Sequence, residues 1–353
     1  MSTDLSQKLQ DQVLVAYEKS EPLQIVGGNS KSFYGRSVEA STLNIREHCG
    51  IINYEPTELV ITVRSGTLLS EIESVLEENG QMIGFEPPAY TSEATIGGII
   101  ACNMSGPRRA YSGAARDFLL GCKILNGKGE ILSFGGEVMK NVAGYDVSRL
   151  MAGALGTLGA LLEVSFKILP RPEIESTQVF ECTASEALTK MHDWGLKPLP
   201  VSATCFYESK LYVRLSGTEK AVLAAGNQMG GETYSEANAF WDNVKEQRLS
   251  MFSSTKSLWR LSLASDIAPL NIEGNCLYEW GGALRWLSTN ESCEAVRSLV
   301  ENAGGQATLF RGNDQTGEIF SPLPVGLKTI HKNLKQAFDP KNILNPGKMY
   351  SDI

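Results

Sequence analysis

Residues 25–36 read IVGGNSKSFYGR. A β-branched pair runs into two glycines, then into small polar residues, then into a third glycine. Two readings fit that order. Gly-Gly-Asn-Ser is good surface-turn chemistry. It is also what a pyrophosphate cradle requires, because glycine lets main-chain N–H donors converge on a closely approaching ligand and supplies positive φ angles. Gly27, Gly28, Asn29 and Ser30 offer consecutive donors, with the Ser30 and Ser32 hydroxyls and the Lys31 cation beside them. The stretch is neither a GxxxxGK[ST] loop nor a GxGxxG turn opening a helix, and neither pattern occurs elsewhere in the chain. Nucleoside-triphosphate and nicotinamide readings therefore have no support.

A second Gly-rich stretch, EATIGGIIACNMSGPRRAYSGAARD (93–117), is too apolar for a surface loop. Its Gly, Ala and Ser residues let backbone approach a flat ring system, and Thr95, Asn103 and Ser105 are polar handles. IGGII alone also fits a tightly packed core helix; Asn103 through Tyr111 do not. A third stretch, NVAGYDVSRLMAGALGTLGALLEVS (141–165), adds glycines at 144, 153, 156 and 159.

The bulk numbers narrow the class. The 353 residues suffice for two domains, and a net charge of −8 disfavours a nucleic-acid partner. MSTDLSQKLQ lacks the basic and apolar regions of a signal peptide, and no apolar run is long enough to span a bilayer. Seven scattered cysteines suggest reduced thiols rather than a disulfide or cluster framework. His48, His192 and His331 are the three histidines, without HExxH or HxH spacing, so no metal site is expected.

Apolar residues at Leu5, Leu9, Val13 and Tyr17 predict an amphipathic helix. Strands are expected at 24–26, 42–45 and 58–63, and a helix at 68–80 stopped by Gly80. Asn-Gly-Lys-Gly (126–129) predicts a hairpin between strands 118–125 and 130–134. LLEVSFKIL (161–169) alternates as a half-buried strand with Leu162, Val164, Phe166 and Ile168 on one face. Pro170, Arg171 and Pro172 mark a boundary. Beyond it, two strand–strand–helix runs suggest an antiparallel α+β domain of ferredoxin-like plan. A loop (312–324), a helix (325–338) and the turn-rich DPKNILNPGKMY close the chain, and no repeats are apparent.

GGNSKSFYG, ATIGGIIACNMSG and GYDVSRLMAGALGTLG, in this order, resemble the FAD-binding domain of the p-cresol methylhydroxylase/vanillyl-alcohol oxidase superfamily, and DPKNILNPGK resembles its C-terminal tail. Within it, the length, the domain plan, EVMKNVAGYD and WGGALRW are most similar to the FAD-binding E subunits of bacterial glycolate oxidase (glycolate dehydrogenase). The resemblance implies an α+β fold: a two-lobed FAD-binding domain over 1–172, an antiparallel α+β cap over 173–320, and a tail over 321–353 that returns to the flavin. It implies that Val26, Gly27, Gly28, Asn29, Ser30, Lys31 and Ser32 hold the pyrophosphate. It further implies that Pro87, Thr95, Gly97, Gly98, Asn103, Ser105 and Gly106 line the flavin, and that the Leu161 backbone lies beside adenine. Asn345 would reach the isoalloxazine edge, with Arg116 as a cation near the cofactor. Covalent relatives use a histidine where Asn29 stands here, so FAD is expected to be non-covalent.

The related D-2-hydroxyacid dehydrogenases use a metal held by a histidine pair in the cap, whereas this cap contains His192 only. The catalytic residues therefore stay unassigned. The resemblance implies two partner chains in a glycolate oxidase complex, a larger homologous FAD subunit and an iron–sulfur subunit. It also implies a small 2-hydroxy acid substrate, glycolate or D-lactate, and an electron acceptor other than NAD. The expected place is the cytoplasm, at most peripheral to the inner membrane through partners. A self-sufficient 2-hydroxyacid dehydrogenase and a flavin-binding structural subunit are the alternatives. Arg260 and Arg285 are the cap residues whose chemistry suits a carboxylate, or equally a structural ion pair.

Overall fold

The computed structural model describes residues 2–136, 146–254, 256–312 and 317–353. EVMKNVAGYD, apart from Asp146, and part of the expected loop at 312–324 lie outside the described residues. The chain divides into two compact units, the first Met1–Met104, Ala114–Pro170 and Gln315–Ile353, the second Ser105–Gly113 and Arg171–Asp314.

The first unit holds β1 (Leu23–Val26), β2 (Ser41–Asn44), β3 (Ile51–Glu55), β4 (Val60–Arg64), β5 (Gln81–Met82), β6 (Leu119–Leu125), β7 (Ile131–Gly135), β8 (Ala160–Lys167) and β9 (Leu169–Pro170). β1 and β2 pair in parallel, with Ile25 opposite Leu43. The larger sheet is antiparallel in the order β3-β4-β8-β6-β7, and β5 pairs with β9. The helix Ser6–Lys19 buries Leu9, Val13 and Ala16 against Leu23, Leu43, Leu162 and Leu344. Leu9 and Val13 belong to the stripe the sequence predicts, while its ends, Leu5 and Tyr17, are only partly buried and Ala16 takes the last buried place. Helix Leu69–Glu78 presents Ile72 and Leu76 to the second core, and Gly80 beyond it has φ +63.

Two expectations need correction. The strand β3 falls on IINYE, where no strand was expected; mixed polarity hides it, and its neighbour β4 supplies the ladder. β8 is not half-buried, since it is central and covered on both faces. Its polar face is satisfied internally: Ser165 shares a hydrogen bond with Thr62 at 2.8 Å, and Glu163 accepts one from Lys123 at 2.7 Å.

The second unit is built on one antiparallel sheet of eight described strands: β10 (Ile174–Glu181), β11 (Val201–Tyr207), β12 (Lys210–Gly217), β13 (Glu232–Thr233), β14 (Ser257–Ser262), β15 (Asn275–Glu279), β16 (Leu284–Thr289) and β17 (Gln306–Arg311). Their spatial order is β13-β10-β12-β11-β15-β16-β14-β17. The first four strands carry helices Ala184–Gly195 and Glu219–Met229 and follow the ferredoxin-like order fourth-first-third-second. The last four repeat that order in mirror sequence, so the two second strands meet, Cys205 opposite Glu279. The ferredoxin-like plan thus occurs twice. The sequence conceals this because residues 263–274, where the second copy would carry its first crossover helix, form no helix.

Acid should loosen the start of the first unit. His48 is 0% exposed, and its Nδ1 accepts the Leu5 N–H at 3.0 Å, which requires the neutral ring. Burial holds its pKa below the ordinary value, against the opposing pull of Asp4. The unfolded chain then binds a proton near pH ~6.5 that the folded chain refuses, so stability falls as pH drops below that value. The Asp4 carboxylate, held well below the usual range first by the Ser6 N–H and then by Arg64, adds a second loss at lower pH. Amide-exchange protection of helix Ser6–Lys19, corrected for intrinsic rates, should fall between about pH 7 and about pH 5. His48→Asn, which keeps an acceptor near Nδ1, should remove that step.

Candidate functional site

β1 delivers the chain into the turn quoted at the outset, and helix Ile96–Cys102 lies beside it. Close backbone packing fixes both. A Cβ on Gly28 would stand 1.4 Å from the Glu93 carbonyl oxygen, and one on Gly27 would stand 2.5 Å from Thr95 Oγ1. These two glycines let the turn seat against residues 93–95, so Gly28 is required by the fold itself. The expectation that its bare Cα is there for a ligand is corrected. Thr95 caps the helix, accepting the Gly98 N–H at 3.4 Å, and the Gly97 N–H donates to the Ser65 carbonyl at 2.8 Å.

The turn and the helix line a cavity with about 960 Å³ of empty volume including its open mouth. Val26, Gly27, Gly28, Asn29, Ser30, Lys31, Ser32, Thr95, Gly97, Gly98, Leu161 and Asn345 all line it. Pro87, Asn103, Ser105, Gly106 and Arg116 do not. Pro87 is buried elsewhere in the first unit. Asn103 ends the helix in the left-handed region and accepts the Arg116 N–H at 3.2 Å, while the Arg116 guanidinium is largely exposed beside Asp117. Ser105 and Gly106 belong to the second unit, where the Gly106 carbonyl accepts Trp280 Nε1–H at 3.0 Å. The small-residue run reads continuously in sequence, but the chain leaves the first unit after Met104.

Asn345 is also engaged differently from expectation. Its Oδ1 accepts the Ile25 N–H at 2.8 Å and its Nδ2 donates to the Leu155 carbonyl at 2.7 Å. It fastens the tail to β1 and to the loop before β8. The Leu161 carbonyl likewise accepts the Ser65 hydroxyl, so that oxygen is occupied from within the chain. Tyr34, Ser65, Cys102, Gly156 and Lys348 line the cavity as well and were missed. Lys348 was within reach, since it ends the NPGK motif that contains Asn345.

Electrostatically, the cavity contrasts with the acidic chain. Among the described residues, two lysines and no carboxylate line it. Lys31 is 7% exposed; its Nζ donates to Ser30 Oγ at 3.1 Å and to the Ala89 carbonyl at 3.3 Å. Burial pushes the Cys102 thiol up to about 11, opposed by Lys31 and Lys348. The main-chain N–H groups of Gly27, Gly28, Asn29 and Ser30 have no acceptor among the described residues. Gly27, Gly28 and Ser30 are half-buried and Asn29 is exposed, so these four amides are open to an external acceptor. Such a lining suits a dianionic diphosphate.

Comparison with known proteins agrees. Residues 5–135 match the family model for the FAD binding domain, and residues 324–349 match the C-terminal domain of FAD linked oxidases. Glycolate oxidase subunit GlcE of Escherichia coli (strain K12) is 48% identical over 350 residues, covering 99% of each chain. The chain belongs to the GlcE family. Its cofactor is FAD and its chemistry that of an oxidoreductase subunit. Glycolate oxidase subunit GlcD of Bacillus subtilis (strain 168) is 28% identical over 85% of this chain and 77% of that one. p-Cresol methylhydroxylase with substrate bound shares the fold, with a TM-score of 0.71 at 15% identity over 100% of this chain and 88% of that one. As in the GlcE family, the chain is one subunit of a larger assembly. Among the described residues, no helix is long and apolar enough to cross a membrane.

Proposed function

We propose that this chain is the non-covalent FAD-binding subunit of a heteromeric glycolate oxidase that oxidises glycolate to glyoxylate and passes electrons to an acceptor other than NAD. The observation that carries the FAD part is the run of amides from Gly27 to Ser30 with no acceptor among the described residues, in a cavity that those residues line with two lysines and no acid. Full-length identity of 48% to a GlcE chain supports the rest. Val26 to Ser32 hold the diphosphate, Thr95, Gly97 and Gly98 form the adjoining wall, and Asn345 keeps β1 in place beneath them. Asn29 offers no nucleophilic imidazole, which favours a cofactor held by contacts alone.

Bound FAD supplies the two-electron acceptor for oxidation of a hydroxy acid. What this chain contributes is the cradle and a positive field. No catalytic residue is assigned. Arg285 cannot serve as a carboxylate receptor, because its guanidinium is buried and donates to the carbonyls of Gly282, Ala268 and Ile267. Arg260 lies over the Trp280 ring at 5.4 Å, which Arg109 also approaches, at 4.3 Å. His192 is an exposed helix residue. This composition favours oxidation at a larger homologous FAD subunit of the GlcD kind, with an iron–sulfur subunit carrying electrons onward. It favours a cytoplasmic assembly, peripheral to the inner membrane through its partners.

A turnover assay separates the roles. The full-length chain alone, loaded with FAD and offered glycolate or D-lactate with an artificial acceptor, should give no turnover, whereas the co-expressed assembly should be active. Sustained turnover by the chain alone would overturn the division of labour.

A further inference from the structure

We propose that Lys348 is a binding residue for the FAD diphosphate, its ammonium acting with that of Lys31 as a two-lysine clamp on the anion. The inference rests on the FAD reading above and adds a residue to it.

The position is built rather than incidental. Gly35, the third glycine of the opening stretch, has φ +83, and a Cβ there would stand 3.2 Å from Lys348 Cε and 2.9 Å from its carbonyl oxygen. The missing side chain thus makes room for the lysine stem. The Lys348 carbonyl accepts the Arg36 N–H at 2.9 Å, and its own N–H donates to the Asn345 carbonyl at 3.1 Å. Backbone and stem are therefore fixed against the turn that carries the unpaired amides. Lys348 lines the cavity, and among the described residues its ammonium has no carboxylate or hydrogen-bond acceptor. An uncompensated, partly buried ammonium is costly unless an anion meets it. Burial lowers its pKa accordingly, opposed by Cys102. Lys31, Cys102 and Lys348 all line this one cavity. The anion that fits there is a diphosphate, already expected from the amides beside it.

The test is equilibrium binding by the full-length, flavin-free chain, using FAD, ADP and riboflavin as probes. ADP carries the diphosphate without the flavin, and riboflavin the reverse. Lys348→Met keeps the stem over Gly35 and removes the charge. It should weaken FAD and ADP by ~10-fold or more and leave riboflavin unchanged, while Lys348→Arg should restore most of the loss. Far-UV circular dichroism and thermal melting should match wild type for both variants. ADP should also protect Cys102 from alkylation in wild type, and less so in Lys348→Met at equal ADP. The inference falls if Lys348→Met binds FAD and ADP as wild type does, or if it weakens riboflavin as much as FAD. If the wild-type chain binds none of the three, the FAD reading fails and the inference with it.

Discussion

Lys335→Met should lower the unfolding free energy by about 3–5 kcal/mol, as expected for removing one partner of a buried ion pair. Lys335 is 5% and Asp339 1% exposed. The ammonium spends all three donors at 2.8 Å, on the Thr157 carbonyl, the Leu344 carbonyl and Asp339 Oδ2. Asp339 accepts in addition the Ile343 and Leu344 N–H groups, and it sits where a Cβ on Gly127 would clash at 2.2 Å. This knot joins helix Val325–Phe338, the 126–129 hairpin turn and the tail that carries Asn345 and Lys348. Loss of the ammonium strands a carboxylate and two carbonyls in the interior. Denaturant unfolding should register the loss, and limited proteolysis should release the tail earlier than in wild type. A variant within about 1 kcal/mol of wild type, with an equally protected tail, would show that the knot is dispensable.

Gly98→Leu should do the opposite, leaving the fold intact and closing the cavity. Gly98 is the one residue from Ala94 to Ile100 that is not buried, and a Cβ there would meet only Thr95 Oγ1, at 3.3 Å. Leucine suits a helix better than glycine does, so melting should stay level or rise. Its side chain would occupy ligand space, and FAD affinity should fall on the order of 100-fold, about 2.7 kcal/mol. Gly28→Val is the informative contrast, because a Cβ lying 1.4 Å from the Glu93 oxygen should cost stability and flavin together. A Gly98→Leu chain that kept wild-type FAD affinity would move the cofactor out of this cavity.

These contrasts bear on what could be read from sequence. Periodicity was enough for Leu9 and Val13, because burying a stripe is a local decision of one helix, but not for Ala16, which the four-residue spacing passed over in favour of Tyr17. The glycine pair, the Ala-Thr-Ile-Gly-Gly run and the tail motif were legible as segments that meet, and Gly27, Gly28, Gly97, Gly98 and Asn345 do line one cavity. Their separate duties were not legible. Whether a glycine opens onto a cavity, as Gly98 does, or yields to another stretch of chain, as Gly28 does, depends on what the fold brings opposite. Ser105 and Gly106 show the same limit, since nothing in a continuous small-residue run reveals that the chain changes unit after Met104. Asn345 was found, but its amide turned out to be committed to Ile25 and Leu155. The doubling of the ferredoxin-like plan escaped because its evidence is strand order, which no local pattern encodes.

The most direct measurement is titration of the full-length, flavin-free polypeptide with FAD, followed by denaturation and separation of small molecules from protein. A saturable uptake of one flavin per chain, all of it recovered in the soluble fraction after denaturation, is the predicted result. A chain that takes up no flavin at excess, or one that keeps the chromophore after unfolding, would contradict a cradle of bare amides and paired lysines that holds its dinucleotide without a bond.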